Sequence, residues 1–197
     1  MKKIFYAALC AMTLIGCTKQ PEAMEKQVID NILTRVSVRQ FTGEPVSQGQ
    51  IDTLLRAAMA APSAINKQPW AFIVVTDETL IGQLAQQLPY SRCDNHPACA
   101  IVPCGDLNKA IEGNGRDFWI QDVSAATENL LLAAHAMGLG AVWTGVYPGM
   151  DRVEAVQNIL GLPEHIIPLC VVPVGIPAEQ PDVKNKYSTG NIHYNRW

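Results

Sequence analysis

Between residues 117 and 137, alanine, leucine and valine stand on nearly every side of a helical projection. Val123, Ala125, Ala126, Leu130, Leu131, Leu132, Ala133 and Ala134 leave little room for a polar face. A helix of this kind is buried on most sides, so the rest of the chain must supply layers around it. Gly138 and Gly140 close it.

Helical and strand periodicity alternate through the remaining sequence. Met24, Val28, Ile29, Ile32 and Leu33 follow helical spacing over residues 22–33. Ser47 with Gln50 makes a capping box for a second helix, whose face is Ile51, Leu54, Leu55, Ala58 and Met59 and which Pro62 ends. A β-type run at 71–76 precedes a helix capped by Asp77 and reaching Leu88. Residues 98–102 read as a strand, and a Gly and Asn loop surrounds 113–115. After the long helix, residues 141–146 read as a strand. Asp151 with Glu154 reads as a cap for a helix with the face Val153, Val156, Ile159 and Leu160, ended by Gly161 and Pro163. The apolar run 166–174 is a strand interrupted by Pro168 and Pro173, which belongs at an edge or enters a bulge. The polar tail 176–197, with Tyr187, His193, Tyr194 and Trp197, either is disordered or lies across a partner.

The expected class is therefore α/β in the broad α+β sense, with a mixed central sheet flanked by helices. A chain of 197 residues without internal repeats suits one domain. Gly138-Leu139-Gly140 ends a helix instead of opening one, which argues against a dinucleotide-binding fold. Hydrophobic residues at 48% and charged residues at 17% leave room for an oligomer interface. With a formal charge of −3 and no basic stripe, nucleic acid is not an expected partner.

Residues 1–16 stand apart. Lys2 and Lys3 precede an uncharged, mostly apolar run from Ile4 to Gly16 that is too short to span a bilayer as a helix. Leu14-Ile15-Gly16-Cys17 is similar to a bacterial lipobox, where cleavage leaves Cys17 as a lipidated N-terminus followed by a polar linker, 17–23. That reading places the protein in the cell envelope, anchored to the membrane by lipid and facing the periplasm or exterior. The competing reading, a buried N-terminal element with an incidental cysteine, leaves it in the cytoplasm. Cys93, Cys99, Cys104 and Cys170 remain in the mature chain, open to disulfide pairing, to a metal with His96, or to free thiols. The Cys93–Cys99 spacing matches no standard zinc motif, and no metal site is expected.

Arg35-Val36-Ser37-Val38-Arg39-Gln40-Phe41 brings two guanidinium groups and a hydroxyl within five residues. Two arginines so close repel unless an anion bridges them. Extended, the segment points Arg35, Ser37 and Arg39 to one side and Val36 and Val38 to the other; helical, the arginines still share a face. Either geometry suits bidentate recognition of phosphate or carboxylate, the alternative being a solvated basic strand end. A second polar segment, Ala61-Pro62-Ser63-Ala64-Ile65-Asn66-Lys67-Gln68-Pro69-Trp70, links a helix to a strand. Asn66 and Gln68 each offer a donor and an acceptor, as the edge of a heterocycle requires. The alternative is a helix exit in which Ser and Asn bond to their own backbone.

These two segments, the helix from Gln121-Asp122-Val123-Ser124-Ala125-Ala126 to Gly138-Leu139-Gly140-Ala141-Val142-Trp143, and the span from Lys184 to Trp197 come in the order of one family. Over residues 24–197 the chain resembles the FMN-dependent nitroreductases. The resemblance implies a homodimer that swaps long segments between its subunits and holds two FMN molecules at the interface. It implies that Arg35, Val36, Ser37 and Arg39 hold the phosphate and ribityl chain, joined by Lys184 and Lys186 from the tail. Lys186 stands where the family often has Arg, which keeps the charge and loses the fork. Asn66, beside Gln68, would bond the pyrimidine edge, and Ser63 and Ala64 would contact the flavin of the other subunit. Thr144 and Gly145 are similar to the backbone segment beside the flavin N5.

The implied activity is hydride transfer from NAD(P)H through the flavin to a nitro compound, a quinone or a related electron-poor small molecule, in a ping-pong cycle. No catalytic side chain is demanded, and His135 reads as a hydrogen-bonded core residue. An envelope location would call for a donor other than NAD(P)H. The alternative function is a flavin-binding or redox-sensing surface lipoprotein without turnover, with Cys93 and Cys99 as a redox pair. A dehalogenating or flavin-cleaving relative would need a lid, which only residues 89–114 could supply.

Overall fold

A computed structural model describes residues 21–197; residues 1–16, expected to be a signal peptide, and Cys17 lie outside the described residues. The long apolar helix, α4 (Phe118–Ala136), rests on one face of a six-stranded sheet and is flanked by other helices. Before it come α1 (Pro21–Thr34), α2 (Gln48–Met59), β1 (Trp70–Val75), α3 (Glu78–Gln87) and β2 (Cys99–Asp106). After it come β3 (Gly140–Ala141), β4 (Thr144–Gly145), α5 (Met150–Leu160), β5 (Ile166–Pro168) and β6 (Cys170–Gly175). The sheet runs β1-β2-β6-β3, with β5 also on β2 and β4 also on β6, and every pairing is antiparallel. The α+β class expected from the alternating periodicity is thus the one observed.

Both faces of the sheet are covered. Cys99 and Ile101 of β2, with Cys170, Val172 and Val174 of β6, pack against Leu54 and Ala58 of α2 and Val123, Ala126 and Leu130 of α4. Ala100, Val102 and Cys104, with Val171, pack against Leu84 of α3 and Val153 and Val156 of α5. Full burial on both sides explains why β2 is apolar from Cys99 to Cys104 instead of alternating. Each such leucine or valine contributes about 1.5–3 kcal/mol by leaving water. Gly105 serves a packing need, because a Cβ there would overlap the ring of Trp119 in α4.

Three caps behave as their residues dictate. Ser47 and Gln50 form the reciprocal capping box of α2, Asp77 accepts from Leu80 N at the start of α3, and Gly161 ends α5 in the left-handed conformation. The Asp151–Glu154 cap does not form: Gly149 is the N-cap of α5 without a side-chain bond, and Asp151 sits inside the first turn, where its charge suits the helix dipole.

The strands differ more from expectation. Residues 141–146 give two short pieces, β3 and β4, separated by Val142 and Trp143. The run 166–174 breaks at Leu169 into β5 and β6, and β6 is interior, between β2 and the β3–β4 side. Pro173 is accommodated there because β3 pairs with Val174 and Gly175 and β4 with Cys170 and Val171, skipping residues 172 and 173. The strand expected at 98–102 continues to Asp106. Among the described residues no helix is long and apolar enough to cross a membrane.

Candidate functional site

Residues 35–40 leave α1 as non-helical chain bonded along the sheet edge. Val38 N donates to Ala141 O at 3.1 Å, and the Val38 side chain is buried over Gly140. The pairing continues into the tail: Ala178 N donates to Gln40 O, Thr42 N to Ile176 O, and Phe41 bridges Pro177. The Glu179 carboxylate accepts from Arg39 N at 2.9 Å, so the tail departs beside Arg39. With Val38 turned inward, Ser37 and Arg39 fall on the outer side, as an extended segment requires.

Arg35 is held from behind. Its Nε lies 3.2 Å from Glu128 Oε1 of α4, the guanidinium side chain only 17% exposed and the carboxylate 48%. Arg39 Nη1 donates to Ser37 O at 3.3 Å. Thr34 Oγ1 donates to Asp30 O at 2.6 Å and lies 3.0 Å from His135 Nε2, which makes that imidazole nitrogen the donor to Thr34. Burial, and then the charge of Arg35, hold the His135 pKa below its ordinary value. His135 is hydrogen-bonded as expected, but at the boundary of α1 and α4 and half-exposed, not in the core.

The second polar segment is a strained turn. Ile65, Asn66 and Gln68 all take left-handed backbone angles, with φ of 45°, 57° and 50°. This is unusual for three non-glycine residues and most costly for a β-branched one. Two side-chain acceptors hold it, besides its own backbone bonds: Ala64 N donates to Asp122 Oδ1 of α4 at 2.8 Å, and Gln68 N donates to Ser63 Oγ at 2.9 Å. Gln68 Nε2 donates to Asn66 Oδ1 at 3.0 Å, which leaves an amide donor on Asn66 and an amide acceptor on Gln68 side by side. Ile65, 77% exposed, caps the turn. Local Ser63 bonding and an outward-facing amide pair therefore coexist.

Thr144 and Gly145 pair with Val171 and Cys170 of β6. The Thr144 hydroxyl turns away to the carbonyls of Tyr90 and Ser91, while Gly145 is exposed with open space where a Cβ would stand. Lys184 and Lys186 lie in the tail, where every residue from Asp182 to Trp197 is exposed.

The fold brings Arg35, Val36, Ser37 and Arg39 together with the start of the tail and, through Gly140 and β6, with Thr144 and Gly145. Among the described residues no hydrogen bond or ion pair joins the turn containing Ser63, Ala64, Asn66 and Gln68 to 35–39; the two segments are anchored on α4 at Asp122 and at Glu128. Asp122, Glu128, Asn95 and Glu179 support the site, and motif reading gave none of them a role. For the first two a signal was present, since an acid inside an otherwise apolar helix needs a partner. The four described cysteines are free and buried, and among the described residues no group of three metal-binding side chains is in place. Cys93 and Cys99 form no disulfide.

The sequence model of the Nitroreductase family matches residues 32–101 and 83–176. A protein of Methanothermobacter thermautotrophicus, provisionally named NADH dehydrogenase/NAD(P)H nitroreductase, is 42% identical over 171 residues, covering 86% of this chain and 87% of its own. A crystal structure under the same provisional name from Parabacteroides distasonis superposes with a TM-score of 0.81 at 49% identity, over 87% of this chain and 99% of that one. The FMN-dependent nitroreductase of Clostridium difficile superposes with a TM-score of 0.77 at 27% identity, over 86% and 99% of the two chains.

Proposed function

Because the chain belongs to the nitroreductase family, we propose that its 35–39 segment is the phosphate grip of an FMN-dependent NAD(P)H oxidoreductase acting on nitro compounds, quinones or a related electron-poor acceptor. The observation that carries this reading is the pinning of the segment, by Glu128 at Arg35 and by Ala141 O at Val38 N. Arg35 is anchored at Nε by Glu128, and in this reading its terminal N–H groups fork onto an anion that Ser37 and Arg39 also reach.

The donor set fits FMN at both ends. Arg35, Ser37 and Arg39, with Lys184 and Lys186, offer cations and a hydroxyl for the phosphate and ribityl chain. Asn66 and Gln68 offer an adjacent donor and acceptor for a pyrimidine edge. The chemistry FMN supplies is hydride transfer between a nicotinamide and an acceptor in two half-reactions. The protein's own contribution is orientation: Gly145 leaves a bare backbone face, and the Asp122-anchored turn presents its amides without further ordering.

In this reading the protein is a homodimer in which Ser63 and Ala64 of one subunit meet the flavin held by the other. The apolar face of α1, with Met24, Val28, Ile29, Ile32 and Leu33 exposed, and the exposed tail ending in Tyr194 and Trp197 are surfaces a twin would cover. The Leu14-Ile15-Gly16-Cys17 motif supports lipid anchoring in the envelope, where the physiological donor would differ from the NAD(P)H that reduces the purified protein.

Protein purified without residues 1–17 should carry a flavin absorbance band that NADH or NADPH bleaches anaerobically and that menadione or nitrofurazone restores. A colourless protein that takes up no added FMN would refute the reading. A yellow one that neither nucleotide bleaches would refute nicotinamide as donor.

A further inference from the structure

The two arginines of the 35–39 segment are fixed by different means. Arg35 is held through its guanidinium, at Nε, by Glu128. Arg39 is exposed, with Nη1 donating to Ser37 O, and is held through its peptide groups instead. The neighbouring residues bond to backbone: Val38 N donates to Ala141 O, Ala178 N to Gln40 O, and Thr42 N to Ile176 O. Arg39 meets side chains. Its N–H donates to Glu179 Oε1 at 2.9 Å, and its carbonyl accepts from Asn95 Nδ2 at 2.6 Å. Backbone groups at a sheet edge need a further strand, a side chain or water as partner. Here two side chains from distant segments take that place, one an acceptor and one a donor.

Asn95 belongs to the strap between α3 and β2, which is itself tied down at both ends. Thr144 Oγ1 donates to Tyr90 O and Ser91 O at 3.3 and 3.4 Å, Phe41 N donates to Asn95 O at 3.2 Å, and Ala98 N donates to Val174 O at 2.9 Å. The strap turns on Arg92 and His96, whose φ of 61° and 55° are left-handed, a conformation that non-glycine residues keep where their surroundings enforce it. Asn95 therefore meets the arginine segment twice, by side chain at Arg39 and by backbone at Phe41. Glu179 stands at the start of the tail that carries Lys184 and Lys186. Resting on the reading of 35–39 as the flavin phosphate grip, we propose that Asn95 and Glu179 are positioning residues for that phosphate. By fixing the peptide groups on both sides of Arg39 they set the point from which its guanidinium reaches, and Glu179 roots the lysine tail beside it. Order established before the ligand arrives lowers the entropy lost on binding. Glu179 acts through its acceptor oxygen, because a negative charge near the phosphate would oppose the anion.

The test follows FMN release from serially diluted FMN-loaded protein by the rise of flavin fluorescence, which gives the Kd. Asn95→Ala and Glu179→Ala each weaken FMN about three- to tenfold, the size of one hydrogen bond. Glu179→Gln keeps the acceptor oxygen and stays within about twofold of wild type or binds tighter. Placed on Arg39→Ala, which itself weakens FMN, Asn95→Ala adds less than about twofold, since no guanidinium is left to position. Unaltered FMN binding in Asn95→Ala and Glu179→Ala overturns the proposal. So do losses that multiply in the Asn95→Ala/Arg39→Ala double variant, which would mean a general loosening of the fold, and full retention in Arg39→Ala. Glu179→Gln as weak as Glu179→Ala overturns the acceptor role, and this pair decides alone if Asn95→Ala does not fold. Wild-type protein that takes up no FMN overturns the flavin reading itself and this proposal with it.

Discussion

Val38 occupies the space that a side chain on Gly140 would need: a Cβ on Gly140 would lie 2.6 Å from Val38 Cγ1, 2.9 Å from Val38 Cβ and 3.3 Å from Phe41 Cε1. A β-branched residue and a buried ring have little freedom to retreat. Gly140→Ala should therefore lower the urea-unfolding free energy by about 1–3 kcal/mol and loosen FMN, because it displaces the segment that carries Arg35 and Arg39. Gly82→Ala is the matched control. It lies inside α3 with nothing within 4 Å of the new methyl, and it should stabilise by about 0.5–1 kcal/mol.

Arg35→Ala removes one charge-assisted pair with phosphate, worth about 1.5–3 kcal/mol, so FMN retention measured by fluorescence should weaken roughly tenfold to a hundredfold. Arg35→Lys keeps the charge and loses the fork, and should fall between the two. Unchanged retention in Arg35→Ala would show that Arg35 does not hold the phosphate.

Asp122→Ala leaves the Ala64 N–H without its acceptor and frees a turn built on left-handed residues. The expected loss is about 1–3 kcal/mol of stability, with weaker FMN binding. Asp122→Asn retains an acceptor oxygen and should lose clearly less. Equal losses would mean the carboxylate acts through its charge and not through this bond.

Ile29→Glu combined with Leu33→Glu places two charges on the exposed face of α1. Sedimentation should show a dimer in the wild type and a monomer in the double variant, with FMN content falling alongside. A double variant that remains dimeric would locate the interface elsewhere.

Burial alone pushes the Cys99 thiol up to about 11 and Cys104 to about 12 from the ordinary 9.0; Cys170 is shifted upward further, and Cys93 is raised as well. A folded pKa above the unfolded one gives stability that is complete below pH 9.0 and is lost as pH rises through the folded values. The urea midpoint should therefore fall between about pH 9 and 11, and Cys99→Ala should blunt the fall. At pH 8, DTNB should find no reactive thiol among these four in the native protein and all four after unfolding in guanidinium.

Local chemistry was enough to read the helices, the Ser47 and Asp77 caps, the Gly161 stop and the apolar strand at 99–102, because each is decided within a few residues by periodicity, capping or backbone freedom. The interior position of β6 despite Pro173, the division of residues 140–145 into two short strands and the failure of the Asp151 cap depend on which neighbours supply hydrogen bonds, and no local window contains them. Tertiary structure alone pairs Arg35 with Glu128 and Ala64 with Asp122, and stretches the strap from Thr144 to Arg39. Those partners are separated by tens of residues, and their geometry comes from how α4 packs on the sheet.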